Sequence, residues 1–222
     1  FTTAPEGTVM IGDEENNMQL PIYPYYGYTY SQSIYYGNEI LAQYHTDGMT
    51  AESLSIEKIA YYWNGNGPGN NSNLWSVYMG HKGNDEFVSS NDWVPASELT
   101  EVYSGTVNLS NTEGWVLIEL DRPFLYNTLD NLVIAVNEHQ HGYDEYGDYF
   151  YSTSSQLNRS LSYYTDGQNP SPCDPPNGNR IRGYPNLMLG IGELSDNQLP
   201  QIHLPQELSF IRNAPFDVDF SR

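Results

Sequence analysis

The sequence is short of cations, of cysteine and of long apolar runs, and each shortage removes a class of protein. Two lysines, Lys58 and Lys82, and six arginines stand against 28 Asp and Glu in 222 residues, for a formal charge of −20. Such a surface repels phosphate, which argues against nucleic acid and anionic membranes as partners. The single Cys173 rules out an intramolecular disulfide. None is needed, because a chain of this length can bury roughly 70% of its unfolded surface in a core. No run approaches the ~18 apolar residues of a membrane span. No charged and then apolar leader follows Phe1, so the chain reads as a mature form or as a fragment of something longer. G-x-S-x-G, P-loop and Rossmann glycine patterns are missing too.

What is present is aromatic and turn-rich. Twenty Tyr, four Trp and seven Phe are spread among Asn, Gly and Ser clusters that recur every ten residues or so, the spacing of a sandwich or barrel. Strands are expected over 9–12, 29–36, 54–63, 75–80, 101–107, 115–120, 132–136, 149–154, 160–164 and 186–191, ten in all and enough for two packed sheets. Trp75, Val77 and Met79 alternate with Ser76 and Tyr78, which puts one face on a core. Leu132 to Val136 is apolar on both faces and reads as a central strand. The one helix candidate is 38–44, one or two turns with Asn38 as cap. Stretches 64–71 and 169–178 carry too much Pro, Gly and Asn for helix or central strand.

Composition shifts near Ser195, which divides the chain into a β-sandwich over 1–198 and a linker with a C-terminal strand over 199–222. In that tail Phe216, Val218 and Phe220 alternate with Asp217 and Asp219, a one-sided strand that needs an apolar surface. Three homes are open to it: its own sheet, the sheet of a neighbouring copy, or a second domain of which it is the first strand.

Several segments together carry a family resemblance. The run Leu20-Pro21-Ile22-Tyr23-Pro24-Tyr25-Tyr26-Gly27-Tyr28-Thr29-Tyr30 leads on to Asn38-Glu39-Ile40. After it come Trp75-Ser76-Val77-Tyr78-Met79-Gly80-His81, Asp92-Trp93-Val94-Pro95, Gly114-Trp115-Val116, Asn131-Leu132-Val133-Ile134-Ala135-Val136 and Asn158-Arg159-Ser160-Leu161. In this order they resemble a jelly-roll-like module of large secreted proteins of Gram-negative bacteria, similar to cleaved-adhesin jelly rolls. The tail resembles the start of an immunoglobulin-like domain. The resemblance implies an all-β, jelly-roll-like antiparallel sandwich of about ten strands. It also implies a secreted or cell-surface location and no catalytic motif; family membership speaks to fold and habitat more than to ligand.

The residues themselves offer several chemistries. Tyr23, Tyr25, Tyr26, Tyr28 and Tyr30 are too dense for all to be core, and an exposed tyrosine ledge stacks on sugar rings or packs a protein interface. Glu138, Asp144, Glu145 and Asp148, interrupted by Gly142 and Gly147, could fold around Ca²⁺ or form a merely acidic loop; EF-hand spacing is absent. Glu119 and Asp121, two apart on one strand face, have a spacing compatible with glycosidase work but fit a solvated face better. His139 and His141 form an H-x-H pair with no third metal ligand in evidence. Cys173, among prolines, reads as a partly buried spectator thiol.

The leading expectation is a non-enzymatic extracellular structural or adhesive module. It would pair with copies of itself or neighbouring domains through edge strands, using Phe216, Val218 and Phe220 as a donated strand that builds a filament. The alternative is a carbohydrate-binding jelly roll of a secreted multidomain enzyme, holding surface glycans on its tyrosines, with calcium as an optional cofactor.

Overall fold

Alternation of period two dominates the chain, and the structure turns it into strands. The computed structural model describes residues 7–44 and 53–192. In chain order the strands are β1 (Thr8–Ile11), β2 (Asn16–Asn17), β3 (Tyr28–Tyr35), β4 (Leu54–Trp63), β5 (Leu74–Lys82), β6 (Thr100–Thr106), β7 (Gly114–Tyr126), β8 (Asn131–Glu138), β9 (Tyr151–Ser154), β10 (Ser160–Thr165), β11 (Asn179–Ile181), β12 (Gly183–Pro185) and β13 (Leu187–Gly192). A two-turn helix, α1 (Gly37–Tyr44), follows β3. All ten expected strands form. The additional β2, β11 and β12 are two- and three-residue pieces rich in Asn, Gly and Pro, too short to show a period.

All strand pairing among the described residues is antiparallel. Four strands pair in the order β1-β13-β4-β7 and six in the order β11-β10-β3-β8-β5-β6, with a small third sheet β12-β9-β2. Counted by their rank among β1, β3, β4, β5, β6, β7, β8 and β13, the two main sheets read 1-8-3-6 and 2-7-4-5, the double Greek key of a jelly roll. The segment between β8 and β13 adds β10 and β11 to the edge beside β3 and, with β2, builds the small sheet.

Inward side chains of both main sheets form one core. Trp75, Val77 and Met79 of β5 and Leu132, Ile134 and Val136 of β8 meet Ile59, Tyr61 and Trp63 of β4 and Leu187 and Leu189 of β13. Val133, on the opposite face of β8, joins Ile34, Phe87, Val94 and Leu161 in a second cluster, so β8 is buried on both faces as its composition requires. Phe87 and Val94 come from the segment between β5 and β6, which lies over the outer face of the six-stranded sheet. Gln32 fastens it there by accepting from Val94 N (2.8 Å) and donating to Val94 O (2.9 Å).

Three of the four edges of the two main sheets, β1, β6 and β7, are shielded. Met10, in edge strand β1, donates its N–H to Gln43 Oε1 and accepts at its carbonyl from Gln43 Nε2, so α1 stands in for a missing strand. The edge strand β7 carries Pro123, which has no N–H to offer. Strands β6 and β7 face each other across the open side of the sandwich, where Asp121 Oδ2 accepts from Ser104 N at 3.0 Å.

Candidate functional site

Three connections meet at the end of the sandwich where β3 and β5 begin and β4 and β8 end. Residues 20–27 lead into β3, residues 64–73 join β4 to β5, and residues 139–150 join β8 to β9. Each is short of regular structure because of its Pro, Gly and Asn content, and each is tied down by specific hydrogen bonds. Pro24 O accepts from Asp144 N (2.8 Å) and from Ser72 Oγ (3.3 Å). Asn64 donates to Gly147 O (2.7 Å) and accepts from Tyr149 N (3.2 Å). Both oxygens of Asp144 accept from Asn71 N, at 3.1 and 3.2 Å, while Asn71 Nδ2 donates to Tyr143 O at 3.0 Å. Gly142 and Gly147 turn the third loop with φ of 124° and 118°, where a side chain would be strained.

This stitching assembles a surface of tyrosines. Tyr23, Tyr25 and Tyr26 pack on one another, with ring centroids 5.1 to 6.3 Å apart. Tyr164, at the end of β10, stacks beside Tyr26 at 4.5 Å. Tyr146 meets the Tyr25 ring edge-on at 5.5 Å, and Tyr143 lies 6.2 Å from it. Exposure rises outward, from 44% at Tyr25 to 63% at Tyr143 and 78% at Tyr146. Tyr25, Tyr143 and Tyr146 line an open cleft of about 570 Å³ together with Pro68, Asn70, Asn71, Asp144, Glu145 and Asp148.

The acids there have unequal surroundings. Asp148 is only 4% exposed; its Oδ1 accepts from Asn66 Nδ2 at 3.2 Å, and its Oδ2 is buried with no hydrogen-bond partner. Gly67 lies so close that a Cβ there would come within 2.7 Å of that oxygen. Burial raises the Asp148 carboxyl above the usual carboxylate range, and Asp144 and Glu145 add repulsion. Glu138 continues the inward row of Leu132, Ile134 and Val136 and is fully buried. Its Oε1 accepts from Gln140 N at 2.7 Å and its Oε2 has no partner; burial pushes it up to about 9, so it is neutral at physiological pH.

The sequence-derived residues distribute as follows. Tyr25 is exposed in the ledge with Tyr23 and Tyr26 half-buried beside it, and Tyr28 is half-buried with its ring 6.1 Å from His141. Tyr30 does not join them: it is fully buried against Trp93, its hydroxyl accepting from Gln32. Asp144, Glu145 and Asp148 share the cleft, whereas Glu138 sits in the core. Among the described residues no three of His, Cys, Asp and Glu are grouped as a metal-ligand set. Glu119 pairs with Lys58 at 3.0 Å and Asp121 with the β6 backbone, so each is engaged separately. His139 contacts Ser76 Oγ and His141 faces Tyr28, so the pair does not act as one unit. Cys173 is exposed rather than partly buried, because its Pro-rich loop runs over the surface. Phe216, Val218 and Phe220 lie outside the described residues. Sequence reasoning did not include Tyr143, Tyr146 and Tyr164 in the ledge; the spacing Gly142-Tyr143…Tyr146-Gly147 in an acidic loop was the available signal.

Fold and site together define an all-β double-sheet jelly roll with an aromatic and acidic cleft among its end loops. No family model matches the chain, and no curated protein matches it. Among solved structures it is similar to the clostridial cysteine protease Cwp84 after propeptide cleavage, with a TM-score of 0.40 and 11% sequence identity over 85% of this chain and 41% of that chain. The chain therefore spans less than half the length of that protein, and a likeness this slight carries no argument about function.

Proposed function

We propose that this chain is a non-catalytic adhesive module of a secreted or surface-attached protein, and that it recognises carbohydrate at the end-loop cleft. The observation that carries the reading is the convergence of Tyr25, Tyr143 and Tyr146, all exposed, around a cleft whose remaining walls are carboxylates, amides and Pro68. Pyranose rings present apolar C–H faces and polar edges. Tyrosine faces complement the first, while Asp144, Glu145, Asn70 and Asn71 complement the second. Titration calorimetry of the full chain against a panel of oligosaccharides tests it. At least one should bind saturably, and Tyr146→Ala should weaken that binding about tenfold, the loss of one stacked aromatic. A panel with no ligand, or one whose binding survives loss of both Tyr143 and Tyr146, overturns the reading.

Calcium belongs to the same proposal. The buried, unpartnered Asp148 Oδ2 favours a hard cation held by Asp148 and Asp144 with neutral oxygens of the adjoining loops, since two carboxylates and several neutral oxygens suit such an ion. Assembly by strand donation is a second reading. It takes support from the one-sided pattern of Phe216, Val218 and Phe220 and from β11, an edge strand of the six-stranded sheet.

A further inference from the structure

We propose that the ligand is the interior of a neutral, unbranched polysaccharide that crosses two clefts, and not a single terminal sugar. The inference rests on the carbohydrate reading above and specifies the class of glycan. A second open cleft, of about 510 Å³, is lined by Met18, Gln19, Tyr164, Asn179, Ile181 and Arg182, and its Tyr164 packs on Tyr23 and Tyr26 of the ledge. Tyr164 belongs to this second cleft and Tyr25 to the first, and the rings between them form an unbroken track. Tyr164 to Tyr26 is 4.5 Å, Tyr26 to Tyr25 is 6.0 Å and Tyr25 to Tyr146 is 5.5 Å.

Tyr25 stands nearly perpendicular to Tyr26 (86°) and to Tyr146 (85°), so a linear chain crossing the ledge meets ring faces and ring edges in turn. The track is held in place by backbone contacts that a mobile loop would lack. Gly27 N donates to Asp166 Oδ1 at 3.1 Å on the Tyr164 side, and Pro24 O accepts from Asp144 N at 2.8 Å on the Tyr146 side. Both clefts open to solvent instead of ending in a blind pocket, which suits a chain that runs through rather than one that terminates. Gln19, Asn179 and Arg182 supply hydrogen-bond donors for sugar hydroxyls in the second cleft, while Asp144 and Glu145 accept from them in the first.

Charge selects the glycan. Acids line the first cleft, the whole chain carries −20, and Arg182 is the single cation lining either cleft. Uronic acid and sulfated polymers would meet a repelling field along most of the track, whereas a neutral chain would not.

The test uses the full chain in affinity gel electrophoresis. Mixed-linkage β-glucan, pullulan and glucomannan are the neutral, unbranched probes; polygalacturonate and alginate are the charged ones. Calorimetry then follows with di-, tetra- and hexasaccharides of whichever polymer retards migration. At least one neutral polymer and neither charged polymer should bind, and the hexasaccharide should bind at least tenfold more tightly than the disaccharide. Tyr164→Ala should cost the hexasaccharide about tenfold and leave the disaccharide unchanged, whereas Tyr146→Ala should weaken both. Arg182→Ala, an exposed position, repeats the Tyr164 test without disturbing packing. Length-independent binding, preference for a charged polymer, or full hexasaccharide affinity in both second-cleft variants overturns this inference while leaving a sugar-binding cleft intact. Failure of every probe in the panel removes the carbohydrate reading itself.

Discussion

Glu138 is the residue whose chemistry departs furthest from expectation. A carboxyl buried beside Trp75 and Thr29 in the strand ladder cannot stay charged without a partner, and the fold holds it as the acid until about pH 9, against an ordinary value of 4.5. Between those values the folded form keeps a proton that the unfolded chain releases. Stability from this group is therefore complete below the unfolded value and is lost as pH rises through the window. Glu138→Gln keeps the acceptor for Gln140 N and removes the titration. Its melting temperature should exceed that of the parent by a margin that widens from about pH 5 to about pH 8; parallel curves in differential scanning calorimetry would refute the assignment. At Asp148 burial acts in the same direction, but this carboxylate borders the cleft, where a cation can offset the cost of its lone oxygen. Millimolar Ca²⁺ should raise the melting temperature of the parent and not that of Asp148→Asn. Equal shifts in both proteins would place the ion elsewhere.

Among the elements, α1 depends on a residue outside it. Arg159, at the turn before β10, is 2% exposed. Its guanidinium lies between the rings of Tyr36 and Tyr184 at 3.7 and 3.8 Å, forks onto Glu39 of α1 at 3.0 and 2.8 Å, and donates through Nε to Ile34 O at 3.0 Å. Planarity and the two-pronged donor set make this arrangement particular to arginine. Arg159→Ala should destabilise by about 2–3 kcal/mol in urea denaturation, the loss of a buried guanidinium with its hydrogen bonds and ring contacts, while Glu39, whose side chain is 34% exposed, is left within reach of solvent. Arg159→Lys should recover less than half of it. A loss below about 1 kcal/mol would mean that α1 is held by its apolar contacts alone. Nothing in Asn158-Arg159-Ser160-Leu161 signals this role, because its partners lie about 120 residues upstream and 25 downstream.

At the scale of the molecule, the question is how a sandwich with three of its four main edges shielded would assemble. Gln43 occupies the backbone of Met10, and β6 and β7 face each other, so β11 is the edge through which a donated strand would pair. Val218→Asp interrupts the apolar alternation of the tail at its centre. If the chain polymerises by donation, light scattering should show large species for the parent and particles of about one chain mass for the variant, with unchanged melting. Polymers that persist in Val218→Asp would exclude the mechanism.

All ten long strands, the short helix, the two turn-rich loops and the central position of Leu132 to Val136 were legible from alternation and punctuation, because those signals are local and burial on one face leaves period two in the chain. The tyrosine density near residue 25 and the acids near residue 145 were legible as two separate features. Their union was not. It depends on β3 lying beside β8 and β8 beside β5, which brings loops 20–27, 64–73 and 139–150 to one end. Pairings over such distances leave no mark in any single segment. The same holds for Tyr30 and Glu138: sequence alone presented a surface ring and a surface acid, and only the packing of the 83–99 segment and the inward register of β8 determined that both are buried.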